Sequence, residues 1–267
     1  MIKVIIAGGT GWAGSALSKA VHANSNMQLV AVVSRKNKGG DLAKLLNLNS
    51  TAAIPIYENV EEALNEQECD VLVEYTKPTI AKHNVLTALA KGVNVVVGTS
   101  GLSDADYAEI EAQALAKNRS VLAVGNFALS AVLLQKFSEM AAKYIPNYEI
   151  IDYAHQDKMD APSGTARELS ARLLKVQEST EFVSEDQLIG LKATRGARLN
   201  GVQVHAVRLP GFVIAVETIF GLNDEKLSIR HDAGSSAEPY VQGGLLAIEK
   251  VNTFIGLKRG LDSVMEF

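Results

Sequence analysis

Between residues 152 and 166 the chain reads Asp152-Tyr153-Ala154-His155-Gln156-Asp157-Lys158-Met159-Asp160-Ala161-Pro162-Ser163-Gly164-Thr165-Ala166. An imidazole and an ammonium lie three residues apart, and two hydroxyls flank a glycine shortly after. Glu149–Tyr153 has strand character, so His155 and Lys158 arrive at the C-terminal end of a strand, and Ser163-Gly164-Thr165 then starts a helix. Free N–H groups at a helix start, two hydroxyls and a nearby cation make a site for a carboxylate. Simple capping is the competing reading, with Ser163 or Thr165 as N-cap and Lys158 in solvent.

A second chemical signal opens the chain. Ala7-Gly8-Gly9-Thr10-Gly11-Trp12-Ala13-Gly14 follows the apolar run Lys3–Ala7 and leads into a helical pattern carried by Leu17, Ala20 and Val21. Gly9, Gly11 and Gly14 satisfy G-x-G-x-x-G in the strand-to-helix context that motif requires. Its glycines let the backbone approach a pyrophosphate, whose charge sits on the helix N-terminus. Gly8 through Gly14 are therefore candidate cofactor residues, and Trp12 either packs on the sheet or covers the cofactor. The second strand, Leu29–Ser34, leads into Arg35 and Lys36, where an NAD site carries Asp or Glu for the ribose 2′-hydroxyl. A hydroxyl followed by two cations suits a 2′-phosphate. NADPH is the expected cofactor, with NADH use open; a solvated basic turn is the competing reading.

These groups need elements to hold them. Lys3–Ala7, Leu29–Ser34, Val71–Tyr75, Val93–Val97 and Val121–Val124 are near-continuous apolar runs, as in parallel strands covered on both faces. Helical stretches alternate with them: Thr79 to Lys91 stops at Gly92, and Ser103 and Asp106 have capping-box spacing. That alternation predicts a Rossmann-like, doubly wound parallel α/β sheet. After about Leu129 the rhythm changes. A helix through Phe137 and Met140 precedes Glu149–Tyr153, and Val202–Arg208, Ala215–Phe220 and Leu227–His231 follow as strands in series. A second α+β domain with a mixed or antiparallel sheet is expected. A last helix, about Tyr240 to Phe254, returns to the first domain, giving domains of 1–128 with 241–267 and of 129–240. The polar stretch Gln177–Gln187 reads as a loop.

Several function classes fall away. With 26 basic and 30 acidic residues and no basic block, nucleic acid is not the expected partner. Met1–Ala7 is too short for a signal peptide's apolar core, and no uncharged apolar run is long enough to span a membrane. Cys69 is the single cysteine, which excludes an intrachain disulfide or Cys-based zinc cluster and suits a reducing cytoplasm. No His and carboxylate cluster has metal-ligand spacing, so no metal is expected. His22 and His83 sit in helical patterns, and His205 stays unassigned. His231 and Asp232 are either second-domain site residues or strand-end supports.

The Asp152–Ala166 segment resembles the signature of dihydrodipicolinate reductases, NAD(P)H-dependent enzymes of the diaminopimelate route to lysine. Their pattern is roughly Glu-x-His-His-x-x-Lys-x-Asp-x-Pro-Ser-Gly-Thr-Ala. Similarity extends to the glycine-rich start, Gly98-Thr99-Ser100-Gly101, Asn126-Phe127-Ala128-Leu129, Val207-Arg208-Leu209-Pro210-Gly211 and Arg230-His231-Asp232. The resemblance implies a dinucleotide-binding domain joined by hinges to a substrate-binding and oligomerisation domain, usually in a homotetramer. It implies reduction of 4-hydroxy-tetrahydrodipicolinate, a small cyclic imine dicarboxylate. Gly98, Thr99 and the turn Gly125, Asn126, Phe127 would lie near the nicotinamide. His155, Lys158, Ser163, Gly164 and Thr165 would hold the substrate, the last three through its carboxylate, with Lys158 as proton donor.

Departures from the pattern qualify that expectation. Ala154 stands where the family has the first histidine of its pair, the assigned general acid, and a methyl cannot donate a proton. Ser236 falls where the family has Arg, Tyr240 is one place late for its aromatic, and Gly125 replaces a proline. Three readings fit: His155 or Lys158 protonates the product and the lysine-pathway activity survives; the site serves a different imine or amino acid; or the chain binds dinucleotide without catalysis.

Overall fold

The computed structural model describes residues 1–180 and 183–267. The chain forms two compact units, Met1–Leu129 with Ala237–Phe267, and Ser130–Ser236. In chain order the first unit begins β1 (Ile2–Ala7), α1 (Trp12–Ala23), β2 (Met27–Val33), α2 (Leu42–Leu45), β3 (Ile56–Tyr57), α3 (Val60–Glu66), β4 (Val71–Glu74), α4 (Pro78–Ala90), β5 (Asn94–Val97), α5 (Asp104–Ala116) and β6 (Ser120–Ala123). The second holds α6 (Leu129–Ala142), β7 (Tyr148–Ala154), α7 (Gly164–Leu174), β8 (Ala197–Leu199), β9 (Val202–Arg208), β10 (Ile214–Leu222) and β11 (Glu225–Ala233). The chain then returns to the first unit with α8 (Val241–Lys250) and β12 (Gly256–Arg259).

The first unit is a seven-stranded sheet in the order β12-β6-β5-β4-β1-β2-β3, every pairing parallel. Its central strands are predominantly apolar because helices cover both faces; Ile5, Ala31, Leu72, Val95 and Val121 share one core with Val85, Leu89 and Ile110 of the helices. Gly92 (φ +75°) ends α4, and its N–H donates to Leu89 O at 3.0 Å. Ser103 and Asp106 close the expected capping box. Five of the seven strands answer to the apolar runs. The two edge strands do not: β3 has two residues and β12 reads Gly-Leu-Lys-Arg, with no apolar run to announce either. The edge strand β12 is covered less, so polar side chains are tolerated there, whereas β3 is buried but too short to form a run. The last helix is also shorter than expected, ending at Lys250 before a 3-10 turn.

The second unit is a five-stranded mixed sheet, β11-β10-β7-β9-β8, in which only β7 and β9 pair in parallel. Alternation along β7 sends Tyr148, Ile150, Asp152 and Ala154 to the covered face. There Leu134 of α6 and Leu169 and Leu173 of α7 pack with Ile150 and Phe220. The helical spacing of Ala166, Leu169, Ser170 and Leu173 gives α7 its buried stripe. Within the loop expected at Gln177–Gln187, residues 181 and 182 lie outside the described residues, and Glu185–Gln187 form a 3-10 turn.

Candidate functional site

In the first unit the chain leaves β1 at Ala7 and turns at Gly8, whose φ of +85° favours glycine. Gly8 N–H donates to Val33 O (2.9 Å) and Gly11 N–H to Gly8 O (2.9 Å), which fixes the loop against β2. A Cβ on Gly14 would sit 2.1 Å from Gly8 O, and one on Gly9 2.5 Å from Val32 Cγ1. Gly11 is the N-cap of α1 with no side-chain cap, and the first turn carries no acid. The N–H groups of Trp12, Ala13 and Gly14 therefore have no intrahelical acceptor. An uncapped helix start behind a loop that glycine alone fits is a cradle for a phosphate, and a dinucleotide pyrophosphate fits it. Gly14→Ala is expected to raise the dissociation constant for a reduced nicotinamide dinucleotide by at least about tenfold in a fluorescence titration; unchanged affinity would detach this loop from the cofactor.

Trp12 does not pack on the sheet. It is 62% exposed and stands edge-on to Tyr240 with ring centroids 5.7 Å apart. Thr10 Oγ1 and Ser34 Oγ pair at 2.8 Å, joining the glycine loop to the end of β2. Arg35 and Lys36 follow on an exposed 3-10 turn, Arg35–Asn37, that contains no carboxylate.

The C-terminal ends of β4 and β5 carry a support that the sequence did not announce. Glu74 is fully buried, accepts from Thr76 N–H (2.8 Å), Asn84 Nδ2 (2.7 Å) and Thr99 Oγ1 (3.2 Å), and also takes the Thr76 hydroxyl. Burial raises its pKa, and these donors oppose the rise. Thr99 is thus held from beneath. Gly98 lies against the Tyr75 ring, where a Cβ would come within 2.1 Å. Phe127 is buried and meets Tyr75 edge-on at 5.3 Å. The Tyr75 hydroxyl is buried without a partner among the described residues. Asn126 Oδ1 accepts from Ala128 N–H at 2.9 Å and shapes the turn; Gly125 beside it is exposed, with open space where a Cβ would stand.

In the second unit, β7 delivers Ala154 and His155 at its end. Ala154 is fully buried on the same face as Asp152. His155 is largely exposed, with Nδ1 3.1 Å from Asp157. Lys158 Nζ lies 2.7 Å from Asp160 Oδ1, and this pairing holds the Asp160 carboxyl below its usual range. Ser163 is the N-cap of α7, accepting from Ala166 N–H, and is only 1% exposed. Both of its own donors go to Asp152: Oγ–H to Oδ1 (2.6 Å) and N–H to Oδ2 (2.8 Å). The carboxylate that Ser163 meets is an internal one. Gly164 and Thr165 remain with the open N–H groups of the first helical turn.

The other histidines separate from this turn. His205 Nε2 meets Glu149 Oε2 at 2.7 Å beside Arg195, in a cavity of about 940 Å³ on the opposite sheet face that contains none of the predicted site residues. His231 is buried, which lowers its pKa, and its Nδ1 lies 2.9 Å from Ser130 Oγ; Asp232 pairs with Arg230. Asp152 and Arg208 went unnoticed as support residues, since a lone acid on a strand and an arginine 56 residues later carry no local signal.

Residues 2–127 match the family described as dihydrodipicolinate reductase, N-terminus, and residues 130–263 match its C-terminus. The chain is similar to the 4-hydroxy-tetrahydrodipicolinate reductase of Halalkalibacterium halodurans, 38% identical over 266 residues and covering 100% of both chains. Its identity to that of Bacillus pumilus is 37%, over 99% of this chain and 98% of the relative. The dipicolinate-bound dihydrodipicolinate reductase from Paenisporosarcina sp. TG-14 matches with a TM-score of 0.90 at 31% identity, covering 99% of this chain and 100% of that one. An amine dehydrogenase from Mycobacterium smegmatis shares the fold, with a TM-score of 0.68 at 13% identity over 99% and 96% of the two chains.

Proposed function

The chain belongs to the dihydrodipicolinate reductase family, and on that premise we propose that it reduces 4-hydroxy-tetrahydrodipicolinate with NADPH. Residues 1–128 and 241–267 serve as the dinucleotide-binding domain and 129–240 as the substrate-binding and oligomerisation domain of a cytoplasmic homotetramer. A divergent enzyme for another imine is not favoured, because similarity to relatives of this one activity runs the full length of the chain.

The bound dinucleotide supplies the hydride. This chain's own groups do the rest. The N–H groups of Trp12, Ala13 and Gly14 hold the pyrophosphate, and Ser34, Arg35 and Lys36 hold the 2′-phosphate. Gly98, Thr99, Gly125, Asn126 and Phe127 shape the nicotinamide end. The N–H groups of Gly164 and Thr165, with the Thr165 hydroxyl, take a substrate carboxylate, while Ser163 keeps the turn in place. Ala154 offers only a buried methyl, so the proton that completes the reduction comes from Lys158, with His155 as a neighbouring substrate contact. The observation that carries this reading is Lys158, held at 2.7 Å by Asp160 on the connection leading into the open first turn of α7.

The test is NADPH oxidation by purified protein with freshly generated 4-hydroxy-tetrahydrodipicolinate. Rapid oxidation supports the reading. Silence with NADPH still tightly bound would overturn it, and a panel of other cyclic imines, and of 2-oxo acids with ammonia, would then define the substrate.

A further inference from the structure

A carboxylate at the closed centre of a unit needs a reason, because an unpaired buried charge is strongly unfavourable. Asp152 is 0% exposed, and its carboxylate meets Ser163 at the start of α7 and Arg208 on β9. Oδ1 and Oδ2 accept both donors of Ser163. Oδ2 also accepts from Arg208 Nη2 at 2.7 Å. Arg208 does more than neutralise it: Nη1 donates to the Asp152 carbonyl (3.1 Å) and Nη2 to the Asp160 carbonyl (2.7 Å). Asp160 in turn holds Lys158.

We propose that Asp152 is a positioning residue for the reaction, setting the carboxylate-binding turn through Ser163 and the proton donor through Arg208 and Asp160. The proposal rests on the functional reading above. Two branches leave one buried carboxylate. The first aims the open N–H groups of Gly164 and Thr165 by pinning the residue just before them. The second fixes the backbone at Asp160, whose side chain fixes the Lys158 ammonium. A buried ion pair of this kind adds little net stability over apolar residues of the same volume. An apolar pair would release the Ser163 donors and the Asp160 carbonyl, and the connection would lose its direction. Charge balance matters as well, since Arg208 offsets a negative charge that would otherwise oppose a substrate carboxylate bound nearby.

The branches are separable by experiment, using dipicolinate and NADPH affinities by calorimetry together with KM and kcat. Ser163→Ala should weaken dipicolinate binding and raise KM by about tenfold, with a smaller fall in kcat. Arg208→Lys keeps a charge but loses the fork, and should lower kcat more than it raises KM. Asp152→Asn should do both, and all three should leave NADPH affinity within about twofold. Loss of NADPH and dipicolinate affinity in equal measure would overturn the proposal, as would wild-type dipicolinate affinity in Ser163→Ala. That single-hydroxyl variant decides the matter even if Asp152→Asn does not fold. A wild-type protein that binds no dipicolinate would overturn it too. One that binds dipicolinate, shows the variant pattern in affinity, yet reduces no 4-hydroxy-tetrahydrodipicolinate would overturn the functional reading and uphold the positioning role.

Discussion

Replacing Lys158 with alanine is expected to lower kcat by about 10²–10⁴-fold, the range a positioned acid contributes. The magnitude follows from the absence of a substitute. Position 154 carries a buried methyl, and the nearby hydroxyl of Ser163 already donates to Asp152. His155 lies beside Asp157 on the exposed side of the connection. Lys158→Arg separates charge from proton transfer: a guanidinium retains the positive charge but does not release a proton in proteins. It should therefore preserve much of the dipicolinate affinity and remain nearly as slow as the alanine variant. Single-turnover kinetics at saturating NADPH make the comparison. A near-normal rate in Lys158→Ala would remove Lys158 from the mechanism and pass the proton to His155.

The second large effect concerns the cofactor. Arg35→Asp is expected to raise KM for NADPH by about 100-fold while changing KM for NADH by less than about threefold. A charge-assisted hydrogen bond to phosphate accounts for one part, and repulsion between the new carboxylate and the 2′-phosphate adds the other. The geometry makes Arg35 suitable for this role. It lies on the exposed turn that follows β2, next to the Thr10–Ser34 hydroxyl pair, and no acid in that turn competes for it. Steady-state kinetics with each cofactor provide the check. Equal effects on NADPH and NADH would rule out the 2′-phosphate contact.

Legibility in the sequence tracked the distance over which the physics acts. The parallel sheet showed through because a strand covered on both faces is mostly apolar, as in Val71–Val73 of β4 and Val95–Val97 of β5. The edge strands β3 and β12 escaped because β3 is only two residues long and the side chains of β12 are half polar, their order being supplied by the strands they pair with. Trp12 illustrates a different limit. Its position in the glycine loop was plain, but the side chain's direction depends on Tyr240, which enters from the far end of the chain.

What the sequence by itself determined are features built from neighbours in the chain: the glycine turn before α1, the Ser103 capping box, the helix start at Ser163-Gly164-Thr165 and the basic turn after β2. Each involves groups within a few residues, so types and spacing suffice. Only the tertiary structure decided what those groups face. Ser163 read equally well as a ligand to substrate or as a cap. Its donors are directed inward because β7 presents Asp152 on its covered face, and the parallel register of β7 with β9 brings Arg208 alongside. Glu74 likewise becomes a support for Thr99 only when β4 and β5 lie side by side. Hydrogen bonds between residues far apart in sequence leave no periodicity behind them; burial then makes those bonds obligatory, because a polar group sealed from water must find its partner inside the fold.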